Sequence, residues 1–356
     1  MSLALGLVGL PNAGKSTLFN ALTRGTAAVA PYPFTTIEPN LGQVNVPDTR
    51  LQAVAAVIRP AHVVPATIRF VDIAGLVRGA AQGEGLGNRF LGHIREGDAI
   101  VHIVRCPATG GAPVSDAEVV ETELALADLE AVERAAEKAA SRAKAGEPAV
   151  REQVGILREL ADALGKSLPA RRQHLAAAAE ELVTDLRLLT AKPVIYVANV
   201  DEASLPDGGA AAAALCAYAD RQGDPCVPLA AKLEAELADL APEDAKAYLE
   251  SVGLAEPGVS RLISISFTML GLVSFFTVLS NEVRAWPVAR GTTALGAAST
   301  IHTDMAHGFI RAEVIHWDAL VAAGSVQAAR ERGAIRVEGR DYQVADGDVI
   351  TFRFAP

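Results

Sequence analysis

Gly9-Leu10-Pro11-Asn12-Ala13-Gly14-Lys15-Ser16 decides the fold of this chain. The eight residues follow the apolar run Leu3–Val8 and lead into an amphipathic segment. An apolar run, then G-x-x-x-x-G-K-S, then a helical pattern is the arrangement of a phosphate-binding loop between a buried strand and a helix. Backbone N–H groups of such a loop and of the helix N-terminus cradle phosphates. Gly9 and Gly14 permit close approach, with Ala13 and Thr17 completing the cradle. Lys15 would neutralise the β- and γ-phosphates, and the Ser16 hydroxyl would bind Mg²⁺.

Outward from this loop, Ile68–Asp72, Ala99–Val104, Val194–Asn199 and Cys226–Leu229 read as further buried strands. Buried strands separated by helices and loops imply an α/β fold: a mostly parallel sheet with helices on both faces. Asp72-Ile73-Ala74-Gly75 closes one strand. There Asp72 would hold Mg²⁺ through water, and the Gly75 N–H would reach the γ-phosphate. Between the two phosphate elements lies Pro33-Phe34-Thr35-Thr36-Ile37-Glu38-Pro39. A threonine in that loop can ligate Mg²⁺ and sense the γ-phosphate; spacing favours Thr36, with Thr35 the alternative.

Asn199-Val200-Asp201-Glu202 stands where a GTPase carries Asn-Lys-x-Asp. Val200 replaces the lysine that packs along the base, and Glu202 is longer than the aspartate that accepts from guanine. Adenine offers an N6 donor and an N7 acceptor, a pair that an Asn amide matches. Asn199 is therefore assigned to the base edge, which favours ATP. Leu76 follows the Asp72–Gly75 motif, where many GTPases place a water-orienting glutamine. Leucine cannot hydrogen-bond water, so intrinsic hydrolysis should be slow. Asn12 is a candidate to help bind K⁺ beside the phosphates, in place of an arginine finger; its other reading is a turn former. The Gly-rich stretch Gly79–Gly87 is expected to be mobile until nucleotide orders it. His93 and His102 have no evident partner and read as structural.

The 356 residues allow two or three domains. From Asp116 to Thr190 the chain is rich in Ala, Glu, Leu and Arg. Ala125, Leu129, Val132, Ala136 and Ala139 make one helical stripe, and Leu175, Ala179, Leu182, Leu186 and Leu189 a second. Breaks at Gly146–Pro148 and Gly165–Pro169 separate helices. The simplest reading is an antiparallel helical arm, 116–190, inserted in a nucleotide-binding domain of 1–115 and 191–280. From 281 to 356, the short runs Val283–Pro287, Ile310–Ile315, Ile335–Glu338, Tyr342–Val344 and Val349–Phe354 surround a short helix, Ala294–Ile301. They predict a small mixed sheet crossed by a helix.

A net charge of −10 excludes coating of bare nucleic acid by global charge; any RNA contact would need a local patch. Cys106, Cys216 and Cys226 form no CxxC pair and read as reduced and cytoplasmic. The N-terminal apolar stretch lacks the basic region of a signal peptide. Ile263–Leu279 contains Ser264, Ser266, Thr268, Gly271 and Ser274, falls short of a membrane span, and reads as a buried helix.

Taken together, Gly9–Thr17, Tyr32–Asn40, Asp72–Asn88, Phe90–Ile100, Thr122–Glu130, Asn199–Glu202 and Trp286 with Ile301–Glu313 resemble the YchF / Obg-like ATPase family over nearly the whole chain. The C-terminal segment is similar to a TGS domain, a ubiquitin-like β-grasp module, and the insertion to the family's coiled-coil arm. The resemblance implies ATP hydrolysis in preference to GTP, Mg²⁺ dependence, ribosome association and roles in translation and stress response. It supports Thr36 over Thr35, places the Val200 backbone against the base, and makes a hydrophobic Leu76 ordinary.

Three departures stand out. Relatives carry a longer loop after the Arg105-Cys106 position, with a histidine assigned to hydrolysis; Pro107–Ser115 is short and has none. Ala230-Ala231-Lys232 replaces Ser-Ala-Lys, so the serine contact to the base is lost while the backbone and Lys232 remain. The arm is unusually Ala-rich. The resulting expectation is a slow Mg²⁺-dependent ATPase that associates with the ribosome and not with a membrane. The alternatives are a GTPase of the same fold and a nucleotide-gated binding module with negligible turnover.

Overall fold

The computed structural model describes residues 3–24, 29–31, 40–73, 86–144, 148–279 and 281–355. The chain opens with β1 (Ala4–Val8), α1 (Lys15–Thr23), β2 (Val29–Pro31), β3 (Asn40–Asn45), α2 (Thr49–Ile58), β4 (His62–Val64), β5 (Thr67–Asp72), α3 (Leu86–Glu96) and β6 (Ala99–Cys106). Next come α4 (Pro113–Lys144), α5 (Pro148–Gly165), α6 (Ala177–Asp185), β7 (Val194–Val200), α7 (Gly209–Arg221), β8 (Cys226–Leu229), α8 (Ala231–Leu237), α9 (Pro242–Ser251) and α10 (Gly258–Met269). It closes with β9 (Leu272–Val278), β10 (Glu282–Ala289), α11 (Ala294–Ile301), α12 (Thr303–His307), β11 (Phe309–His316), α13 (Trp317–Ala323), α14 (Val326–Glu331), β12 (Arg336–Glu338) and β13 (Asp348–Phe354). Two compact units result: Met1–Gln43 with Arg69–Arg261, and Val44–Ile68 with Leu262–Pro356.

Among the described residues, the first unit is organised by a sheet of order β2-β3-β5-β1-β6-β7-β8. β5, β1, β6, β7 and β8 pair in parallel along this order. Helices cover both faces of such a sheet, so β1 and β7 are apolar without alternation and almost wholly buried. Register then decides where the chemistry lies. Leu7 pairs with Asp72, Val8 with His102, and Arg105 with Asn199. The loop after Val8, Asp72, Arg105 and Asn199 therefore meet at the carboxyl edge of the sheet, the usual ligand edge of α/β folds.

The segment read from sequence as an arm holds most of α4 with α5 and α6. The α4 stripe read from sequence is confirmed: Val132 is fully buried and Ala139 nearly so. Its partner is corrected. α6 spans only nine residues, and the helix lying along α4 is α5, through Val150, Val154, Leu157, Leu160 and Leu164. Alanines at 135, 136, 139, 140 and 143 leave room for those larger side chains. Asp128 ties α4 to the 189–190 turn. Its fully buried carboxylate accepts from Leu189 N (2.9 Å), Thr190 N (2.7 Å) and Thr190 Oγ1 (2.8 Å), with Arg95 at 3.6 Å.

The second unit carries a mixed sheet of order β12-β11-β13-β9-β10-β4. The α11 helix read from sequence is present, capped by Thr293, whose side chain accepts from Gly296 N. Its core packs Phe275, Phe309 and Phe352 against Ala294, Ala297 and Ala298. Two expectations are corrected here. Ile263–Leu279 is not one helix: α10 ends at Met269, Gly271 turns with φ +65°, and β9 follows as a central strand. Apolar residues on both faces of β9 hide the change of period. Tyr342–Val344 forms only an isolated bridge, Gln343 to Thr293.

Cys216 and Cys226 are joined in a disulfide, which corrects the reading of three reduced cysteines. The bridge links α7 to the adjacent β8 with Cα atoms 5.2 Å apart, within the range such a bond spans. A ten-residue separation conceals the pair from any CxxC pattern. Among the described residues, no helix is long and apolar enough to cross a membrane.

Candidate functional site

The loop between β1 and α1 is shaped by two left-handed residues, Asn12 (φ +64°) and Gly14 (φ +98°). Asn tolerates that region and Gly occupies it freely, so Asn12 does serve as a turn former. Gly14 is the N-cap of α1 and contributes no side-chain cap. The first-turn amides of α1 therefore have no intrahelical partner and face the loop, the condition for holding an anion.

Lys15 is 8% exposed. Its Nζ donates to Gly9 O (2.9 Å) and Leu10 O (3.1 Å), folding the loop around the ammonium. Burial lowers its pKa, and the nearby Asp72 carboxylate opposes that shift. Ser16 Oγ donates to Asp72 Oδ2 at 3.2 Å, so the two residues read from separate motifs as metal ligands are adjacent. Burial raises the Asp72 pKa, against the lowering effects of Ser16 and Lys15. A hydroxyl and a carboxylate are hard oxygen donors, suited to Mg²⁺, which completes its shell with water and substrate phosphates. Among the described residues no group of three or more His, Cys, Asp or Glu gathers as a protein-only metal cage.

Beside the loop opens a cavity of about 390 Å³, lined by Asn12, Thr17, Arg105, Asn199–Glu202 and Ala230–Leu233. Asn199 sits at its centre as a clamp. Its Nδ2 donates to Ala13 O (2.8 Å), and its Oδ1 accepts from Ala231 N (3.0 Å). The amide thus ties the phosphate loop to the 230–231 turn, a role that the sequence reading of a base contact did not include. A side chain at position 14 would run into that amide. Gly14→Ala is accordingly expected to weaken nucleotide binding roughly tenfold or more, through both the left-handed backbone and the displaced clamp. Calorimetric titration with ATP checks this, and unchanged affinity would contradict it.

Val200 is buried, whereas Lys232 is exposed with Glu236 3.8 Å away. Glu202 accepts a hydrogen bond from the Tyr248 hydroxyl of α9. Asp201 Oδ2 accepts from Ala108 N (3.1 Å), pinning the loop that follows β6. Arg105 was not read as a site residue. It is a cation next to the end of a strand otherwise apolar but for His102, and that break in pattern is the available signal. His102 is buried and His93 lies on α3, neither at this cavity. The Cys106 thiol is pushed up to about 12 by burial, with Asp116 adding to the effect. Thr35, Thr36, Gly75, Leu76 and most of the Gly79–Gly87 stretch lie outside the described residues.

Comparison with known proteins agrees with this geometry. A family model described as 50S ribosome-binding GTPase matches residues 4–145. Another, YchF-GTPase_C, described as a protein of unknown function, matches residues 272–355. The chain is 43% identical to the Ribosome-binding ATPase YchF of Bacillus subtilis, covering 99% of this chain and 100% of that protein. It is 45% identical to the protein of that name from Haemophilus ducreyi, with 99% of each covered. The solved YchF GTPase of Schizosaccharomyces pombe superposes with a TM-score of 0.87 at 31% identity, covering 99% of this chain and 98% of that one. Similarity of this extent, across both units, leaves one assignment: the chain belongs to the YchF family.

Proposed function

We propose that this protein is a Mg²⁺-dependent ATPase that associates with the ribosome and uses nucleotide state to regulate translation or the stress response. The observation that carries the catalytic half is the Ser16–Asp72 pair at 3.2 Å beside the buried Lys15 ammonium. In this reading Lys15 binds the β- and γ-phosphates, Ser16 and Asp72 hold Mg²⁺ with Thr36, and the Gly75 N–H orients the γ-phosphate. Mg²⁺, when bound, neutralises phosphate charge as the terminal group leaves. Leu76 gives water no hydrogen bond, so turnover is slow, and Asn12 beside the phosphates is the candidate for K⁺. Ribosome association is supported by the names of relatives that match over their full length. Any RNA contact belongs to a local surface. We further propose a nucleotide-binding domain of 1–115 and 191–280, an arm of 116–190, a TGS-type domain of 281–356, and a cytoplasmic location.

The relatives' names divide between ATPase and GTPase, and the base cavity favours ATP. It holds no lysine at 200, and the Glu202 carboxylate already accepts from Tyr248. The adenine edge is left to the Val200 backbone, the remaining hydrogen-bonding capacity of Asn199, and the Ala230–Lys232 turn. Val200→Lys combined with Glu202→Asp should shift the GTP-to-ATP affinity ratio toward GTP by roughly tenfold, the worth of one matched base contact. Parallel titrations of both nucleotides check this, and an unchanged ratio removes the base-reading argument.

A further inference from the structure

β6 serves two cavities. Arg105, near its carboxyl end, lines the nucleotide cavity, whereas Ile100 and His102 line another of about 360 Å³ beside α4. The two share no lining residue. The second is bounded by α4, the segment 167–172, the start of β7 and the end of α7, all within the first unit.

Its lining is amphipathic. Ile100, Leu124 and Val194 supply apolar surface, and charges of both signs stand on the walls. Arg171 and Arg172 share Asp224, at 3.2 and 3.1 Å. Glu121 lies 3.5 Å from Arg171 and accepts hydrogen bonds from the hydroxyls of Tyr196 and Tyr218. Among the described lining residues, two guanidinium groups, Arg171 and Arg172, face two carboxylates, Glu121 and Glu118. Of these, Glu118 is an exposed carboxylate at the rim, with no ion pair among the described residues.

This network is incomplete as it stands. His102 is only 2% exposed, and among the described residues its Nε2 has no hydrogen-bond partner. The Nε atoms of Arg171 and Arg172 also lack partners among the described residues. Buried nitrogens are rarely left unpaired, and three beside one cavity mark its wall as unusually polar. Burial drops the His102 pKa to about 4, so the ring is neutral at physiological pH and can donate or accept at Nε2.

We propose that this cavity binds an α-amino acid with an apolar side chain, its carboxylate on Arg171 and Arg172 and its ammonium on Glu118 and Glu121. Three features select this class. A plain anion would meet Glu118 and Glu121 as well as the arginines, whereas a zwitterion suits walls that carry both signs. Opposite charges only 3.5 Å apart match an ammonium and a carboxylate borne on one carbon. The apolar lining of Ile100, Leu124 and Val194 accommodates the side chain, and the volume suits a ligand of this size.

The test is calorimetric titration of the full chain with L-leucine, leucinamide, N-acetyl-leucine, acetate and inorganic phosphate. Leucine is expected to bind, with the amide and the N-acetyl derivative each roughly tenfold or more weaker, since each loses one charge-assisted contact. Glu118→Gln, an exposed change, and Arg172→Gln should each weaken leucine similarly while leaving ATP affinity unchanged. Absence of leucine binding up to about 10 mM with the fold intact overturns the proposal, as that range covers any useful small-ligand site. So does binding of acetate or phosphate as tight as leucine, or leucine affinity unaltered by Glu118→Gln.

Discussion

Lys15→Ala is expected to lower ATP affinity about a hundredfold and to abolish measurable turnover. The ammonium is buried, held by two carbonyls of its own loop, and close enough to Asp72 for the carboxylate to influence its titration. These contacts position the ammonium within the phosphate loop. A charge-assisted contact to two phosphates in a partly desolvated loop is among the stronger interactions a protein makes. Removing it also leaves the Gly9 and Leu10 carbonyls without their donor. Circular dichroism should report an intact fold, and titration with ATP in magnesium buffer should report the loss. Retention of affinity within about threefold, well under one charge-assisted bond, would mean that Lys15 does not hold phosphate.

Asp128→Ala is expected to cost roughly 3–5 kcal/mol of stability, the range for stripping one partner from a buried ionic network. Three donors, two of them backbone, converge on a carboxylate with no solvent exposure. Burial raises the pKa of this acid against the opposing bonds from Thr190 and Leu189. Asp128→Asn keeps one oxygen acceptor and should lose less. Urea denaturation midpoints check both, and a loss below about 1 kcal/mol for the alanine variant would show that the 189–190 turn finds other partners. Since the same contact ties α4 to that turn, the damage should appear first in α4.

Much of the nucleotide site is contiguous in sequence, and that is why it is legible. Gly9 to Ser16 forms its cradle from neighbouring backbone, so spacing alone specifies it. Asp72 and Asn199 are legible because each ends an apolar run, and parallel register carries strand ends to one edge. Contacts that depend on three dimensions are not legible. The Asn199 clamp joins residues 13, 199 and 231, and Tyr248 reaches Glu202 from a separate helix. The α5 stripe escaped notice beside the Ala-rich α4, although its 4-3-3-4 spacing of valines and leucines is regular. β4 enters the C-terminal sheet from the first fifth of the chain, an association without local signal. Ile263–Leu279 misled because a buried helix followed by a buried strand is one long apolar run.

Side-by-side titration of ATP and GTP against the purified full chain in magnesium buffer tests the central claim most directly. ATP should bind, and bind more tightly than GTP. Equal or tighter binding of GTP would contradict the base assignment, and failure to bind either nucleotide by a folded protein would contradict the site itself.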